Sequence, residues 1–155
     1  MKYLVAYYSR TGNIKTIGMA IGKALSADID EIIDKKNRAG IVNWIRAGRD
    51  AMGKKLTEIQ SEKSPQDYDV IVIGSPIWAG NPTPALRTYL TTHDLKGKKV
   101  AFFICSTVNR YAKIFPHLKE MTPKSEHAGT FSITASRIRK DDYERELNAF
   151  IEKLK

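Results

Sequence analysis

The chain has 155 residues, of which 42% are hydrophobic and 28% are charged, and its 26 Lys and Arg against 17 Asp and Glu give a formal net charge of +9 at pH 7. This length predicts one domain, residues 1–155, with a sizeable core. No apolar run approaches the roughly 18 residues of a membrane span, and a single cysteine, Cys105, excludes an internal disulfide. Because residues 1–5 also lack a cleavable signal pattern, we expect a cytoplasmic protein.

The first part of the chain alternates apolar runs with a helical pattern. Residues 2–8 form a continuous apolar run, typical of a central parallel strand that is covered on both faces. A helix is predicted to begin near Asn13. Its apolar face contains Ile14, Ile17, Ile21, Ala24 and Leu25. Residues 27–34 are more polar and mixed, which suits a strand at the edge of a sheet.

The connection between Asp34 and Asp69 is too long for an ordinary loop and is strongly basic. Its helical pattern consists of Ile41, Trp44, Ile45, Gly48 and Met52. Its basic residues up to position 55, opposed by Asp50 alone, are Lys35, Lys36, Arg38, Arg46, Arg49, Lys54 and Lys55. We interpret about residues 35–66 as a basic helical insert and not as a second domain. Such a patch is either a solvated helix face or a surface for an anionic partner, and the lack of an RNA-binding motif disfavours nucleic acid.

The rest of the chain continues the alternation. Two further apolar runs, residues 69–74 and 99–105, predict central strands, and the mixed run 128–133 predicts an edge strand. Helical spacing predicts helices over 83–90, over 110–121 and at the end of the chain. The last of these has Tyr143, Leu147, Phe150, Ile151 and Leu154 on one face. Together the patterns predict an α/β fold, a doubly wound five-stranded parallel sheet of order 2-1-3-4-5 with helices on both faces.

The loop after the first strand, Ser9-Arg10-Thr11-Gly12-Asn13, is rich in hydroxyl groups and lies before a helix. Hydroxyls and free backbone N–H groups at a helix N-terminus favour an anion. The loop matches neither G-x-x-x-x-G-K-[ST] nor G-x-G-x-x-G, so a single phosphate monoester suits it better than a triphosphate or a pyrophosphate. The alternative is that Thr11 or Asn13 only caps the helix.

Two more loops are predicted to reach the same edge of the sheet, where ligands of doubly wound folds bind. The segment 74–84 contains three prolines, Trp78 and the pair Gly80-Asn81, and such a stiff loop suits a flat aromatic ring. The alternative for Trp78 is a core residue. The third loop, 106–111, contributes polar side chains from the opposite side of the crevice.

With these loops in this order and spacing, nearly the whole chain resembles the flavodoxin-like family. The resemblance implies that the cofactor is FMN, with its phosphate in the first loop and its isoalloxazine ring between the second and third. The implied cofactor-binding residues are Ser9, Arg10, Thr11, Gly12, Asn13, Ile14, Pro76, Ile77, Trp78, Ala79, Gly80, Asn81, Ser106, Thr107, Asn109 and Arg110. The insert resembles the additional helix of a subgroup with longer chains.

Two features depart from the family pattern. Ile14 stands where the family's phosphate loop has Thr or Ser, so one phosphate ligand is missing unless Thr16 or Arg10 replaces it. Flavodoxins are typically acidic, whereas this chain is strongly basic. The second departure predicts partners unlike those of a standard flavodoxin.

The sequence is compatible with three functions. The first is an FMN-dependent electron-transfer protein, whose basic insert favours an acidic partner such as a ferredoxin-like protein or a reductase. The second is an FMN-dependent oxidoreductase that reduces a quinone with NAD(P)H and needs a second pocket, such as one at a homodimer interface. The third is a flavin-free module that binds an anion or nucleic acid.

Neither a catalytic acid or base nor a metal site is predicted. The three histidines, His93, His117 and His127, are isolated and lack the spacing of metal ligands. Cys105 ends a buried strand and is expected to be an inert packing thiol. If the chain is an enzyme, the cofactor performs the redox chemistry.

Overall fold

The computed structural model describes residues 1–36, 41–53, 55–107 and 113–155. Five parallel strands build the main sheet: β1 (Tyr3–Tyr7), β2 (Asp28–Glu31), β3 (Val70–Trp78), β4 (Lys99–Ser106) and β5 (Glu126–Thr134). They lie in the order β2-β1-β3-β4-β5. The predicted fold class and strand order are therefore confirmed.

Helices connect and flank the strands. They are α1 (Asn13–Leu25), α2 (Ile41–Met52), α3 (Pro84–Thr92), α4 (Ile114–Glu120), α5 (Ala135–Arg139) and α6 (Glu144–Glu152). The predicted helix over 110–121 begins at Ile114 in the described residues, and positions 110–112 lie outside them. The short helix α5 was not predicted. None of the helices in the described ranges is long and apolar enough to span a membrane.

Alternate residues of the strands face two separate cores. Val5 and Tyr7 of β1 pack with α1 and α6 on one face, whereas Leu4 and Ala6 pack with α3 and α4 on the other. This double coverage explains why the central strands are continuous apolar runs. The predicted inner face of α1 is buried except for Ala24, which is exposed.

The predicted strand 27–34 is divided in two. β2 pairs with β1 only over Asp28–Glu31, and after the buried Ile32 a short strand, Ile33–Asp34, pairs antiparallel with Ile59–Gln60. The chain leaves the main sheet here because it enters the insert. This short ladder brings the two ends of the insert together, and the N–H of Lys35 donates to the carbonyl oxygen of Glu58 at 2.9 Å.

A buried carboxylate holds helix α2. The side chain of Asp50 is only 4% exposed, and its oxygens lie 2.6 Å from Lys36 Nζ and 3.5 Å from Lys55 Nζ. These lysines precede and follow the helix in the chain, so one side chain joins both flanks of α2. After the helix, Thr57 and Thr88 of α3 exchange hydrogen bonds of 3.0 Å. The insert is thereby fixed against α3.

Candidate functional site

Four chain segments meet at the carboxyl edge of the sheet. β1 leads into residues 9–13, β3 into a hairpin at Trp78, β4 into Ser106–Thr107, and β5 into α5. Parallel strands in register end at the same edge, which is where doubly wound folds bind ligands. The segments enclose a cleft of ≈ 210 Å³.

The first loop presents backbone donors that have no acceptor. Gly12 is the N-cap of α1 with a φ of 91°, a left-handed conformation that glycine adopts without strain. Ser9 Oγ accepts the N–H of Lys15 at 3.2 Å and so satisfies one first-turn donor. In the described part of the chain, the backbone N–H groups of residues 10–14 have no hydrogen-bond acceptor. These free donors lie at the positive end of the helix dipole.

The interpretation of Thr11 or Asn13 as the helix cap is wrong. The N-cap of α1 makes no side-chain capping bond, and Asn13 Nδ2 instead donates to Thr11 Oγ1 at 3.3 Å. Thr11 is exposed at the cleft, and its hydroxyl keeps a proton to donate. Apart from Ser9, the loop's polar side chains leave the first turn of the helix uncapped, so its free donors suit an external acceptor.

Ile14 lines the cleft but belongs to the core. It is 1% exposed and packs in the core beneath α1, so it offers no hydrogen bond at this position. Of the two suggested replacements, Thr16 donates its hydroxyl to the carbonyl oxygen of Gly12 at 3.1 Å and lies outside the cleft lining. Arg10 does line the cleft. Arg10 is thus the better placed of the two to replace the missing ligand.

The second loop is a continuation of β3 and a tight hairpin. The strand extends beyond the predicted end at residue 74 to Trp78, which pairs antiparallel with Asn81. Ala79 and Gly80 form the two-residue turn with φ values of 49° and 73°, the signs that a type I′ hairpin requires. Pro76 has no backbone N–H to donate to a neighbouring strand. It is tolerated here because β1 pairs with β3 no further than Gly74, so one side of β3 has no neighbour at Pro76.

Trp78 is held at the cleft by two contacts. Its ring meets the edge of Tyr8 with centroids 5.8 Å apart and planes at 81°. The guanidinium of Arg10 lies 5.9 Å from the Trp78 ring centroid, within the range of a cation–π contact. The half-buried tryptophan therefore packs on the core and also forms a wall of the cleft.

The structure brings most of the predicted site residues together. Those in the described cleft lining are Ser9, Arg10, Thr11, Asn13, Ile14, Pro76, Ile77, Trp78, Ser106 and Thr107. Gly12 lies within the first loop, and Ala79, Gly80 and Asn81 form the exposed side of the hairpin without lining the cleft. Asn109 and Arg110 lie outside the described residues. Their contribution stays a prediction.

The lining also contains two residues that the sequence did not indicate, Cys105 and Ala135. Ala135 directly follows β5, so the predicted end of this strand could have indicated that Ala135 lies at the cleft. Burial raises the pKa of the Cys105 thiol to about 11, so it is neutral at physiological pH. Arg10 is the only permanently charged side chain in the described lining, which makes the cleft electropositive.

Comparisons with known proteins agree with this geometry. Residues 39–155 match the model of the flavodoxin domain family. The chain belongs to this family. No curated protein sequence matches it.

Solved structures of two flavoproteins and a flavodoxin align over most of the chain. A protein from Bacteroides eggerthii is 26% identical, with 96% of this chain and 97% of that one covered and a TM-score of 0.77. A flavoprotein from Lactobacillus acidophilus, solved in complex with FMN, is 25% identical, with 90% and 97% covered and a TM-score of 0.73. Flavodoxin 2 from Bacillus cereus, at 20% identity, 99% coverage of both chains and a TM-score of 0.54, shares the fold.

Proposed function

We propose that the cleft binds FMN and that the chain transfers electrons between redox partner proteins in the cytoplasm. One observation carries the proposal: a single cleft combines the unpaired backbone donors of the first loop with the half-buried ring of Trp78. A phosphate monoester joined to a flat aromatic ring is the ligand whose two ends match this pair of features.

The phosphate end of FMN fits the first loop. Backbone N–H groups of residues 10–14, the hydroxyl of Thr11 and the guanidinium of Arg10 would hold the phosphate oxygens. Hydrogen bonds to an ionised phosphate are about twice as strong as neutral ones. The nonpolar Ile14 removes one hydroxyl from this set, and the charge of Arg10 compensates for it.

The ring end of FMN fits between the hairpin and the end of β4. Trp78 would contact the ring face, and Ser106 and Thr107 would reach its polar edge. Trp78 is already fixed by Tyr8 and by the core, so little side-chain entropy is lost when a ring binds. The FMN complex of the Lactobacillus acidophilus flavoprotein supports FMN as the ligand.

Electron transfer suits the chemistry of the lining better than substrate turnover. When bound, FMN supplies the redox chemistry, and the protein positions it and adjusts its electrostatic surroundings. The described lining holds no carboxylate or imidazole, and the Cys105 thiol is neutral because burial raises its pKa to about 11. These residues provide no general acid or base. The proposed partner is an acidic redox protein, because the chain carries a net charge of +9.

An FMN titration followed by visible absorbance and flavin fluorescence tests the proposal. We expect stoichiometric binding to the purified full chain. Thr11→Ala should weaken the affinity about tenfold or more, since it removes one charge-assisted hydrogen bond of about 1.5–3 kcal/mol. Thr16→Ala is the matched control, because Thr16 lies in the same turn but outside the lining. It should change the affinity less than about twofold.

A second variant tests the ring end. Trp78→Ala should weaken FMN binding about tenfold, whereas Trp78→Phe, which keeps an aromatic face, should retain most of the affinity. No binding at saturating FMN would overturn the proposal. Equal affinities for Thr11→Ala, Trp78→Ala and the unmodified chain would show that FMN binds elsewhere.

A further inference from the structure

Exposed apolar side chains are concentrated in and next to the basic insert. In the described part of the chain, the large hydrophobic residues that are exposed are Met1, Met19, Ile33, Ile45, Met52 and Leu56. Four of the six fall within positions 33–56. Apolar groups gathered on one exposed segment mark an interaction surface, whereas scattered ones carry no such meaning.

Helix α2 presents two of these residues together with free cations. Ile45, Arg49 and Met52 are spaced i, i+4 and i+7 and therefore share one face, with Arg46 beside it. Ile45 and Met52 are 60% and 65% exposed, and both arginines are exposed as well. Neither arginine forms an ion pair within the described residues. We call Ile45, Arg46, Arg49 and Met52 the α2 face.

The opposite side of the helix keeps the α2 face rigid and positive. Asp50 is the only acidic residue between positions 35 and 57. It is buried and is occupied by Lys36 and Lys55, so it neutralises no charge on the α2 face. Because those lysines flank α2 in the chain, the helix is fixed in place before any partner arrives. A fixed surface loses little entropy on binding.

Helix α2 packs next to the hairpin that borders the candidate FMN cleft. It contacts β3 and the short strand Asn81–Pro82, the two strands of the hairpin that carries Trp78. A protein seated on the exposed α2 face would therefore be separated from this hairpin by one helix. Electron transfer between proteins needs this proximity of cofactor and docking surface.

We propose that the α2 face docks the acidic surface of a redox partner protein, with carboxylates on Arg46 and Arg49 and an apolar contact on Ile45 and Met52. The proposal rests on the proposed function for its redox character. Charge complementarity favours an acidic occupant, and the net charge of +9 opposes a second copy of this chain.

The pattern of the α2 face also favours a protein over a lipid surface. Arg49 lies between Ile45 and Met52 along the exposed stripe. A helix that lies on a membrane keeps its cations on the polar face and buries an apolar face in the acyl boundary. Insertion of this stripe would carry a guanidinium into the lipid, whereas a protein can place a carboxylate opposite it.

The test measures association of the full FMN-loaded chain with an immobilised acidic [2Fe–2S] ferredoxin at different ionic strengths. Arg46→Glu/Arg49→Glu should lower the association rate constant about tenfold at about 10 mM salt, where the Debye length is about 30 Å. The difference should fall below about twofold at about 1 M salt, where that length is about 3 Å. Ile45→Ser/Met52→Ser should raise the dissociation rate constant about fivefold at either salt concentration, because apolar contact is not screened.

The matched control is Lys96→Glu/Lys124→Glu, which makes the same change in net charge. Both lysines are exposed and belong to the loops at the amino edge of the sheet, where the N–H of Gly97 donates to the carbonyl oxygen of Lys124. This variant should change the association rate constant less than about twofold. An equal loss in both double variants would overturn the proposal, because net charge alone would then explain the association.

Other outcomes are equally decisive. The docking role would be refuted if the unmodified chain did not associate with the ferredoxin at low salt. It would also be refuted if Arg46→Glu/Arg49→Glu left the association rate constant unchanged. A third outcome would assign the α2 face to a membrane instead. In that case the unmodified chain binds vesicles of phosphatidylserine and phosphatidylcholine, only Arg46→Glu/Arg49→Glu abolishes this binding, and the same variant associates with the ferredoxin as the unmodified chain does. Rapid mixing of the FMN-loaded chain with reduced ferredoxin, followed by flavin absorbance, separates the two proposals: association without reduction of the flavin would keep the docking face and refute the redox function.

Discussion

The ring of Phe103 lies over Gly74 and next to helix α1. Gly74 is in β3, and Phe103, directly opposite it in β4, is fully buried. A Cβ placed on Gly74 would lie 2.0, 2.4 and 2.5 Å from three atoms at the tip of the Phe103 ring. The ring also lies 3.4 Å from a Cβ placed on Gly18 of α1. We therefore expect Gly74→Ala to displace the ring toward α1.

The cost of Gly74→Ala can be worked out from these contacts. Overpacking of a filled core costs about 1–3 kcal/mol, and removal of a strand glycine returns about 0.5–1 kcal/mol. Because the three approaches of 2.0, 2.4 and 2.5 Å place the overpacking cost at the upper end of this range, the net expectation is a loss of about 2 kcal/mol. Phe103→Leu should cost a similar amount by leaving a cavity. Leucine lacks the ring-tip atoms that clash, so Gly74→Ala/Phe103→Leu should cost at least about 1 kcal/mol less than the sum.

Urea unfolding of the FMN-free chain measures these values without a contribution from ligand binding. The urea concentration at the midpoint of unfolding should fall, and the dependence of the unfolding free energy on urea concentration should not change. In thermal unfolding, the melting temperature should drop about 2–4 °C per kcal/mol. Gly129→Ala is the control, because its Cβ would approach Phe150 no closer than 3.3 Å. It should cost less than about 1 kcal/mol. If the loss of unfolding free energy in the double variant equals the sum of the two single losses, the prediction is refuted, because the Phe103 ring is then not what clashes with the added methyl group.

Three further predictions concern charges and the thiol. Arg10→Ala should lower the midpoint potential of bound FMN by roughly 25–100 mV, the effect of one charge at an assumed separation of about 7 Å and effective dielectric constants of about 80 to 20; an unchanged potential in redox titration would contradict the electropositive cleft. Asp50→Ala should reduce the free energy of unfolding by about 1–3 kcal/mol, because its lysine contacts flank α2. The exposed Glu58→Ala should change it by less than about 0.5 kcal/mol in the same urea assay. The rate of Cys105 alkylation by iodoacetamide should keep rising between pH 9 and 11, because its pKa is about 11; a plateau near pH 9, as for free cysteine, would contradict burial of the thiol.

The parts of the fold that could be predicted are those in which burial leaves a pattern in the chain. The central strands are covered on both faces, so they appear as continuous apolar runs, and their parallel order placed three loops at one edge. The strand at 27–34 was predicted too long because the break at Ile32 arises from the path into the insert. Helix α5 is too short for a periodic signal, and Thr134, which accepts the N–H of Arg137, starts it.

The site was less predictable because its details depend on turns. Ser9 reaches Lys15 only because Gly12 adopts a left-handed conformation, and residue types alone made Thr11 or Asn13 equally good caps. The extension of β3 to Trp78 depends on the hairpin turn at Ala79 and Gly80. The apolar pattern of α2 correctly indicated a helix. It could not show that Ile45 is exposed, because periodicity identifies a face and not what covers it.

The short ladder of Ile33–Asp34 with Ile59–Gln60 gives the insert a closed base. The chain enters and leaves at adjacent points, with Lys35 beside Glu58, so everything between them can change length without moving the main strands. The residues that form the cleft lie outside this span. With the proposed docking role, recognition of a partner and retention of a cofactor can diverge separately in evolution. The segment between positions 35 and 58 is then the unit to exchange between relatives when a change of redox partner is to be tested.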